Sequence, residues 1–280
     1  MPTSRFAQLP NLRLEYFIHG HGPRRVVFVH GFEASARIWT EVQTALAESE
    51  FTSIAINNRG AGRSDAPDKD EDYSVLWFAR DAHLLMQSLG WSAFTLVGHS
   101  MGGATVARHA IDHPGALTGL VMLNPANPDG RPGTPEQLEQ RIADFLQARR
   151  ARLATGQGKR AVDAATPEQT DGANWRLLLD QDMARAPEQR LRGSLRSMHG
   201  LRMGPQLAQL RTPALLVCGD CDDLIALSDM LDTWRKLPAG SGLQVWHGIG
   251  HPPNLECPAQ LADLLTRFIQ EKTGAMPASA

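Results

Sequence analysis

The sequence predicts an α/β fold: a mostly parallel central sheet flanked by helices. Three observations carry that expectation. Short β-branched runs recur along the chain, amphipathic helical patterns separate most of them, and the runs are continuously apolar rather than alternating. A strand buried on both faces needs apolar residues at every position, so such runs belong to a parallel sheet covered on each side.

In chain order the expected strands are "LRLEYFI" (12–18), "VVFVH" (26–30), "TSIAIN" (52–57), "FTLVG" (94–98), "LTGLVML" (117–123), "ALLVCG" (214–219) and "LQVWHG" (243–248). Helical patterns such as "SVLWFARDAHLLMQSLG" and "PAQLADLLTRFIQ" sit between or after them. The alternation breaks once, between about Asn127 and Arg211. There "NPDGRPGTP" opens a linker rich in Pro and Gly, and three helical patterns follow with no clear strand. An all-helical insertion between two strands of one sheet reads as a cap. The expected organisation is a core over 1–126, a helical cap over 127–210, the second part of the core over 211–272 and a flexible tail over 273–280. Within the cap, the polar stretch Thr155 to Ala173 reads as a mobile loop.

Composition narrows the function classes. Lys+Arg 28 against Asp+Glu 30 gives a formal charge of −2, which offers no field for a polyanion, so neither nucleic acid nor a membrane surface is an expected partner. The amino terminus lacks an apolar stretch of signal-peptide length, and no segment approaches the roughly 18–20 apolar residues of a membrane span, so a cytoplasmic location is expected. Three cysteines, Cys218, Cys221 and Cys257, fit a reducing compartment better than a disulfide framework. Cys218 and Cys221 form a C-x-x-C at a strand end that opens no helix, so no redox or metal centre is expected there.

Chemistry enters at Gly98-His99-Ser100-Met101-Gly102, a G-x-S-x-G placed after the strand "FTLVG" and before the helix "GATVARHAIDHP". A sharp strand-to-helix turn holds such a serine in a strained conformation, and side chains at the two glycines would collide with the neighbouring backbone. The turn thereby lifts the Ser100 hydroxyl clear of the sheet. A serine hydroxyl is a weak nucleophile until a base takes its proton, so a histidine held by a carboxylate must follow. Two later loops supply candidates. "LLVCGDCDDLIAL" offers Asp220, Asp222 and Asp223, and "QVWHGIGHPPNLECP" offers His247 and His251. His251 is preferred, because it lies in the Gly- and Pro-rich loop outside the strand, whereas His247 lies at the strand end. An oxyanion site needs two backbone N–H groups aimed at one point. Met101, directly after the serine at the helix start, supplies one, and Phe32 in "HGFEAS", beside the small Gly31, is the candidate for the other.

These residues together resemble the α/β-hydrolase superfamily, over roughly residues 12 to 272. The elements that carry the resemblance are "HGFEAS" (30–35), "NNRGAGRSD" (57–65), "GHSMGG" (98–103), "GDCDD" (219–223) and "GIGHPPNLECP" (248–258). The resemblance selects Asp222 as the acid, with Asp220 and Asp223 as turn or solvated neighbours and Asp129 as a remoter alternative. It implies a carboxylic ester or lactone substrate, a Ser100-His251-Asp222 triad and no metal or organic cofactor. One departure stands out: Asn57 occupies a place where relatives commonly carry Asp, in a segment that braces the loops beside the site, and Arg59 and Ser64 of that segment read as structural.

Some other activities of the same fold call for different residues. Epoxide hydrolases and haloalkane dehalogenases use an Asp nucleophile where this chain has Ser100, and Tyr16 and Tyr73, the two tyrosines, lie outside the cap. Carbon–carbon bond hydrolases of ring-cleavage products share the Ser-Met-Gly-Gly turn but usually have Asn where this chain has His99. Cofactor-free perhydrolysis uses the same triad, and weakly catalytic ligand receptors have been built on the fold with the triad intact. The cap arginines Arg141, Arg149, Arg150, Arg152, Arg176 and Arg185 read as a solvated outer face, with contact to a substrate carboxylate as the alternative. Leu138, Ile142, Phe145 and Leu146 form a stripe at helical spacing, and Trp175, Leu178, Leu179 and Met183 form a second; each either packs on the core or lines the pocket. A medium-sized, largely apolar ester is the expected substrate.

Overall fold

A computed structural model describes residues 1–155 and 175–273. The central run "RRVVFV" shows why the sheet forms. Alternate residues point to opposite faces, so Val26 and Phe28 join one apolar cluster with Trp39, Leu261 and Leu265, while Val27 and Val29 join a second with Leu85, Ala104 and Ala107. Both faces are covered, which is what continuously apolar strands require.

Eight strands, β1 (Thr3–Gln8), β2 (Arg13–His19), β3 (Arg24–Val29), β4 (Phe51–Ile56), β5 (Phe94–His99), β6 (Leu117–Leu123), β7 (Ala214–Gly219) and β8 (Gly242–Trp246), pair in the order β1-β2-β4-β3-β5-β6-β7-β8. From β4 to β8 every pairing is parallel; β2 is antiparallel both to the edge strand β1 and to β4. The core helices are α1 (Thr40–Ala45), α2 (Val75–Ser88) and α3 (Met101–Asp112). Between β6 and β7 the described residues form α4 (Pro135–Ala154), α5 (Trp175–Arg185), α6 (Glu188–His199) and α7 (Gly204–Leu207), with no strand among them. The chain then adds α8 (Leu227–Arg235), α9 (Pro253–Glu256) and α10 (Pro258–Thr273). The expected loop from Thr155 to Ala173 lies, after Thr155, outside the described residues, and so does the tail beyond residue 273. No described helix is long and apolar enough to cross a membrane.

Strand β1 has no counterpart in the sequence reading. It is an edge strand on which Ala7 is the one fully buried side chain, so it shows no apolar run. The seven other strands fall on the expected segments to within two residues at either end. Register then sets the position of the site: Val29 lies beside Gly98, Gly98 beside Met122, and Leu123 beside Val217. The carboxyl ends of β3, β5, β6 and β7 are thus level, and their loops leave from one edge of the sheet, where ligands of open α/β sheets bind.

The Asn57 departure has a structural cause. Asn57 is buried at the end of β4; its Oδ1 accepts from Ala36 N at 2.7 Å and its Nδ2 donates to Glu15 Oε2 at 2.8 Å. Burial pushes the Glu15 carboxyl up, but donors from Ser4 and Arg63 outweigh it and hold the pKa below its ordinary value. Asn57 therefore gives a donor to an ionised, buried carboxylate. Asn57→Asp sets two carboxylates against each other and is expected to destabilise the fold by about 3 kcal/mol at neutral pH. Because the crowded pair has a raised pKa, the loss should shrink as the pH falls towards about 5, which urea unfolding at several pH values measures. Arg59 and Ser64 are structural as expected: Arg59 pairs with Asp81 at 2.7 Å, and Ser64 joins Glu15 N to the Asn57 carbonyl.

Candidate active site

Ser100 sits between β5 and α3 with φ 55° and ψ −119°, a left-handed conformation unusual for a residue with a side chain. Backbone hydrogen bonds hold it there. Ser100 N donates to Leu123 O at 2.9 Å, and its carbonyl accepts from Gly103 N and Ala126 N, both at 2.9 Å. The glycines are required by close approach: a Cβ on Gly98 would lie 2.1 Å from Gly102 O, and one on Gly102 would lie 2.2 Å from Val29 O. The loop after β3 passes so near the serine that a Cβ on Gly31 would stand 3.1 Å from Ser100 Cβ.

His251 and Asp222 meet as the sequence leads one to expect. His251 Nδ1 lies 2.8 Å from Asp222 Oδ2, while Asp222 Oδ1 accepts from Leu224 N at 2.8 Å and Ile225 N at 2.9 Å. Asn124 Nδ2 donates to the same Oδ2. Burial pushes the Asp222 carboxyl up, but the donors from Asn124, His251 and the two backbone N–H groups outweigh it, and its pKa lies below the usual carboxylate value. Asp222 is therefore an anion at neutral pH, and it accepts a hydrogen bond from the Nδ1–H of the imidazole, leaving Nε2 free to accept. Two of the three rival carboxylates are engaged elsewhere: Asp220 pairs with His247 at 2.7 Å, and Asp129 pairs with Lys236 at 2.7 Å and accepts from Gly204 N.

Ser100 and His251 line one cavity of about 770 Å³, together with His99. Its walls are mainly apolar, with Phe32, Ile142, Phe145, Leu179, Met183 and Ile225 among them. Of the two apolar stripes, Leu138, Ile142, Phe145, Leu179 and Met183 face this space, whereas Leu146 and Leu178 do not line it. Met101 follows the serine in the chain, and Phe32 lines the same cavity as Ser100. Among the described residues the Phe32 N–H donates to no protein acceptor, and Met101 opens α3, where the first N–H groups have no intrahelical partner.

His99, directly before the serine, is buried and donates from Nε2 to the His251 carbonyl at 2.9 Å, which fixes the backbone of the loop carrying the imidazole. Burial, with the neighbouring His251, lowers its pKa to about 3, so it stays neutral. His30 is likewise buried and lowered to about 3; it accepts from Asn58 N at Nε2 and hence donates from Nδ1 to Gly31 O at 2.8 Å. Cys218 is buried and Cys221 exposed, and both are free thiols.

The structure corrects the reading of the insertion's arginines as an outer solvated face at one position, Arg149; Arg141, Arg150, Arg152, Arg176 and Arg185 are exposed as expected. Arg149 is buried, with Nε 2.9 Å from Glu33 Oε1 and a second nitrogen donating to the carbonyls of Met183, Ala184 and Ala186. Arg152 reaches the same Glu33 oxygen at 3.0 Å. Arg190, fully buried, donates to Ala34 O at 2.8 Å and Gly60 O at 3.3 Å, and burial lowers its pKa to about 10. Three guanidinium groups from the insertion thus end on the short loop that follows Phe32. The sequence reading missed Asn124, Glu33 and Arg190 altogether, and no local pattern marks them: each is defined by a partner far away in the chain.

A family model described as alpha/beta hydrolase fold matches residues 24–258. Among curated proteins, the chain is 34% identical over 123 residues to a fluoroacetate dehalogenase from Burkholderia sp, a match that covers 43% of this chain and 40% of the dehalogenase. The chain thus spans less than half the length of that relative. It is 27% identical over 259 residues to the AB hydrolase superfamily protein YisY of Bacillus subtilis, covering 89% of this chain and 92% of YisY. Among solved structures, the esterase EaEST from Exiguobacterium antarcticum superposes with a TM-score of 0.78 at 22% identity, covering 96% of this chain and 100% of that one. At that identity the likeness is one of fold.

Proposed function

This chain belongs to the α/β-hydrolase family, and from that premise we propose that it is a serine hydrolase cleaving a carboxylic ester or lactone through an acyl-enzyme. The observation that carries the reading is the 2.8 Å contact between His251 Nδ1 and the anionic Asp222, with His251 and the strained Ser100 on one apolar cavity. His251 Nε2 takes the Ser100 proton as Oγ attacks the substrate carbonyl carbon. The N–H groups of Phe32 and Met101 receive the developing oxyanion. The tetrahedral adduct collapses, His251 returns the proton to the leaving alkoxide, and an alcohol departs. Water, deprotonated by the same imidazole, then attacks the acyl carbon and releases the acid and Ser100. The chain's own residues and water suffice for every step.

The walls of the cavity suit a medium-sized ester with an apolar body. Dehalogenation of the kind named for the Burkholderia relative is not favoured, because that chemistry on this fold uses an Asp nucleophile and position 100 is Ser. The test is rapid-quench hydrolysis of p-nitrophenyl esters of increasing acyl length with intact-mass detection. A burst of nitrophenol and an acyl adduct that maps to Ser100 are expected; turnover without an adduct, or an adduct on another residue, would sink the proposal.

A further inference from the structure

The insertion is rich in arginine, and most of its guanidinium groups have an assigned carboxylate. Arg149 and Arg152 share Glu33, Arg192 and Arg196 share Asp70, Arg150 takes Glu188 and Arg176 reaches Glu41. Arg131 and Arg141 differ. Both line the cavity, and neither forms an ion pair with any described carboxylate. Arg185, Arg190 and Arg202 also lack a carboxylate among the described residues, but none of the three lines the cavity.

Arg131 and Arg141 both meet the same helix end, where Arg131 N donates to the His199 carbonyl at 3.4 Å. Gly130 and Gly133 have φ of 76° and 139°, and a Cβ on Gly130 would lie 2.2 Å from the His199 carbonyl oxygen, so the loop packs against the end of α6. On that surface an Arg141 nitrogen lies 3.4 Å from His199 Nδ1, and a Cβ on Gly133 would lie 3.2 Å from the same guanidinium. Arg131, Arg141 and His199 form a polar rim on a mainly apolar cavity that Asn127, Asp229 and Asn254 also line.

Resting on the hydrolase reading above, we propose that the substrate is an ester or lactone that carries a carboxylate on the part remote from the scissile bond, held at this rim by Arg141 and Arg131. A guanidinium presents paired N–H donors that match a carboxylate. The charge count favours a single negative charge: two guanidiniums and one carboxylate, Asp229, line the cavity, which leaves a net charge of +1 for the ligand. The apolar walls between the serine and the rim then accommodate the connecting chain.

The test compares p-nitrophenyl hydrogen adipate and suberate with their methyl half-esters, which differ only in the remote carboxylate. Wild type is expected to favour the acid-ended substrate in kcat/KM by about tenfold at low salt, with the preference falling as salt screens the pair. The double variant Arg131→Ala/Arg141→Ala should bring that ratio to about one, whereas Arg185→Ala should leave it as in wild type. Calorimetric titration with suberate provides a readout that needs no turnover, and binding about tenfold weaker in the double variant is expected. If no ester turns over and no adduct forms on Ser100, the hydrolase reading fails, and the suberate titration still decides whether the rim binds a carboxylate. Equal kcat/KM for acid and methyl half-ester in wild type, a preference that survives the double substitution, or stronger selection of an ω-phosphonate ester overturns the proposal.

Discussion

Asp222→Asn is expected to lower kcat by about 10⁴-fold while the protein stays folded. The reason lies in how completely the carboxylate is used. Oδ1 accepts two backbone N–H groups and Oδ2 accepts the Asn124 amide and His251 Nδ1–H. An amide at this position must keep its oxygen on the two fixed backbone donors, which turns its NH₂ group towards Asn124 and His251. Asn124 can rotate its amide to present oxygen. The imidazole can answer only by accepting at Nδ1, and its proton then moves to Nε2, where it cannot receive one from Ser100. Circular dichroism should be unchanged and KM little altered, since the loss falls on the chemical step. A fall of less than about tenfold would remove Asp222 from the role of orienting acid.

The second large effect is acid lability. His30, His99 and His109 are each buried and lowered to about 3 from an ordinary 6.5, in every case chiefly by burial. Positive or potentially positive neighbours add to it: Arg190 beside His30, His251 beside His99, and His83 and His113 beside His109; Asp222 and Asp112 act in the opposite sense. His109 has no hydrogen-bond partner on either ring nitrogen, so Asp112 alone among its side-chain neighbours favours a proton there, and burial outweighs it. Between about 6.5 and 3 the unfolded chain therefore binds protons that the folded chain refuses. Stability present above 6.5 is lost as the pH falls, at up to about 4 kcal/mol per pH unit if all three stay neutral. Asp81 and Asp182, raised by burial, take up protons in the folded state and offset part of this. A domain with about 5–15 kcal/mol in total should unfold well before pH 3. Urea unfolding between about pH 5 and 7.5 measures the slope, and His109→Phe should reduce it by about a third. A flat profile across that range would mean that the three imidazoles are not held neutral.

The parts legible in the sequence are those that local physics writes into consecutive residues. Continuously apolar runs gave the six parallel strands and β2, and Gly98 and Gly102 around Ser100 gave the elbow because their steric requirement is met within five residues. His251 followed from its loop, but the choice of Asp222 among three neighbouring carboxylates needed the resemblance; the hydrogen bonds that separate Asp222 from Asp220 come from residues 98 and 27 positions away, respectively. Strand β1 left no mark, since an edge strand can be stable with one buried side chain. Arg149 was misread for a related reason. A guanidinium at helical spacing looks the same whether it meets water or Glu33, and Glu33 stands 116 residues from Arg149 in the chain.

The anchoring of the loop after Phe32 bears on how such proteins diversify. Helical insertions at this point of the sheet invite treatment as exchangeable modules, each bringing its own selectivity to a common scaffold. Here the boundary between module and scaffold is crossed by Arg149 and Arg152 on Glu33 and by Arg190 on the Ala34 carbonyl. A chimera that replaced residues 127–210 with a foreign insertion would leave Glu33, at φ 54°, without its cations, and the backbone beside the proposed oxyanion donor without its brace. Recombination at this junction succeeds only for donors that carry guanidiniums at matching places, or for recipients in which Glu33 has first been replaced.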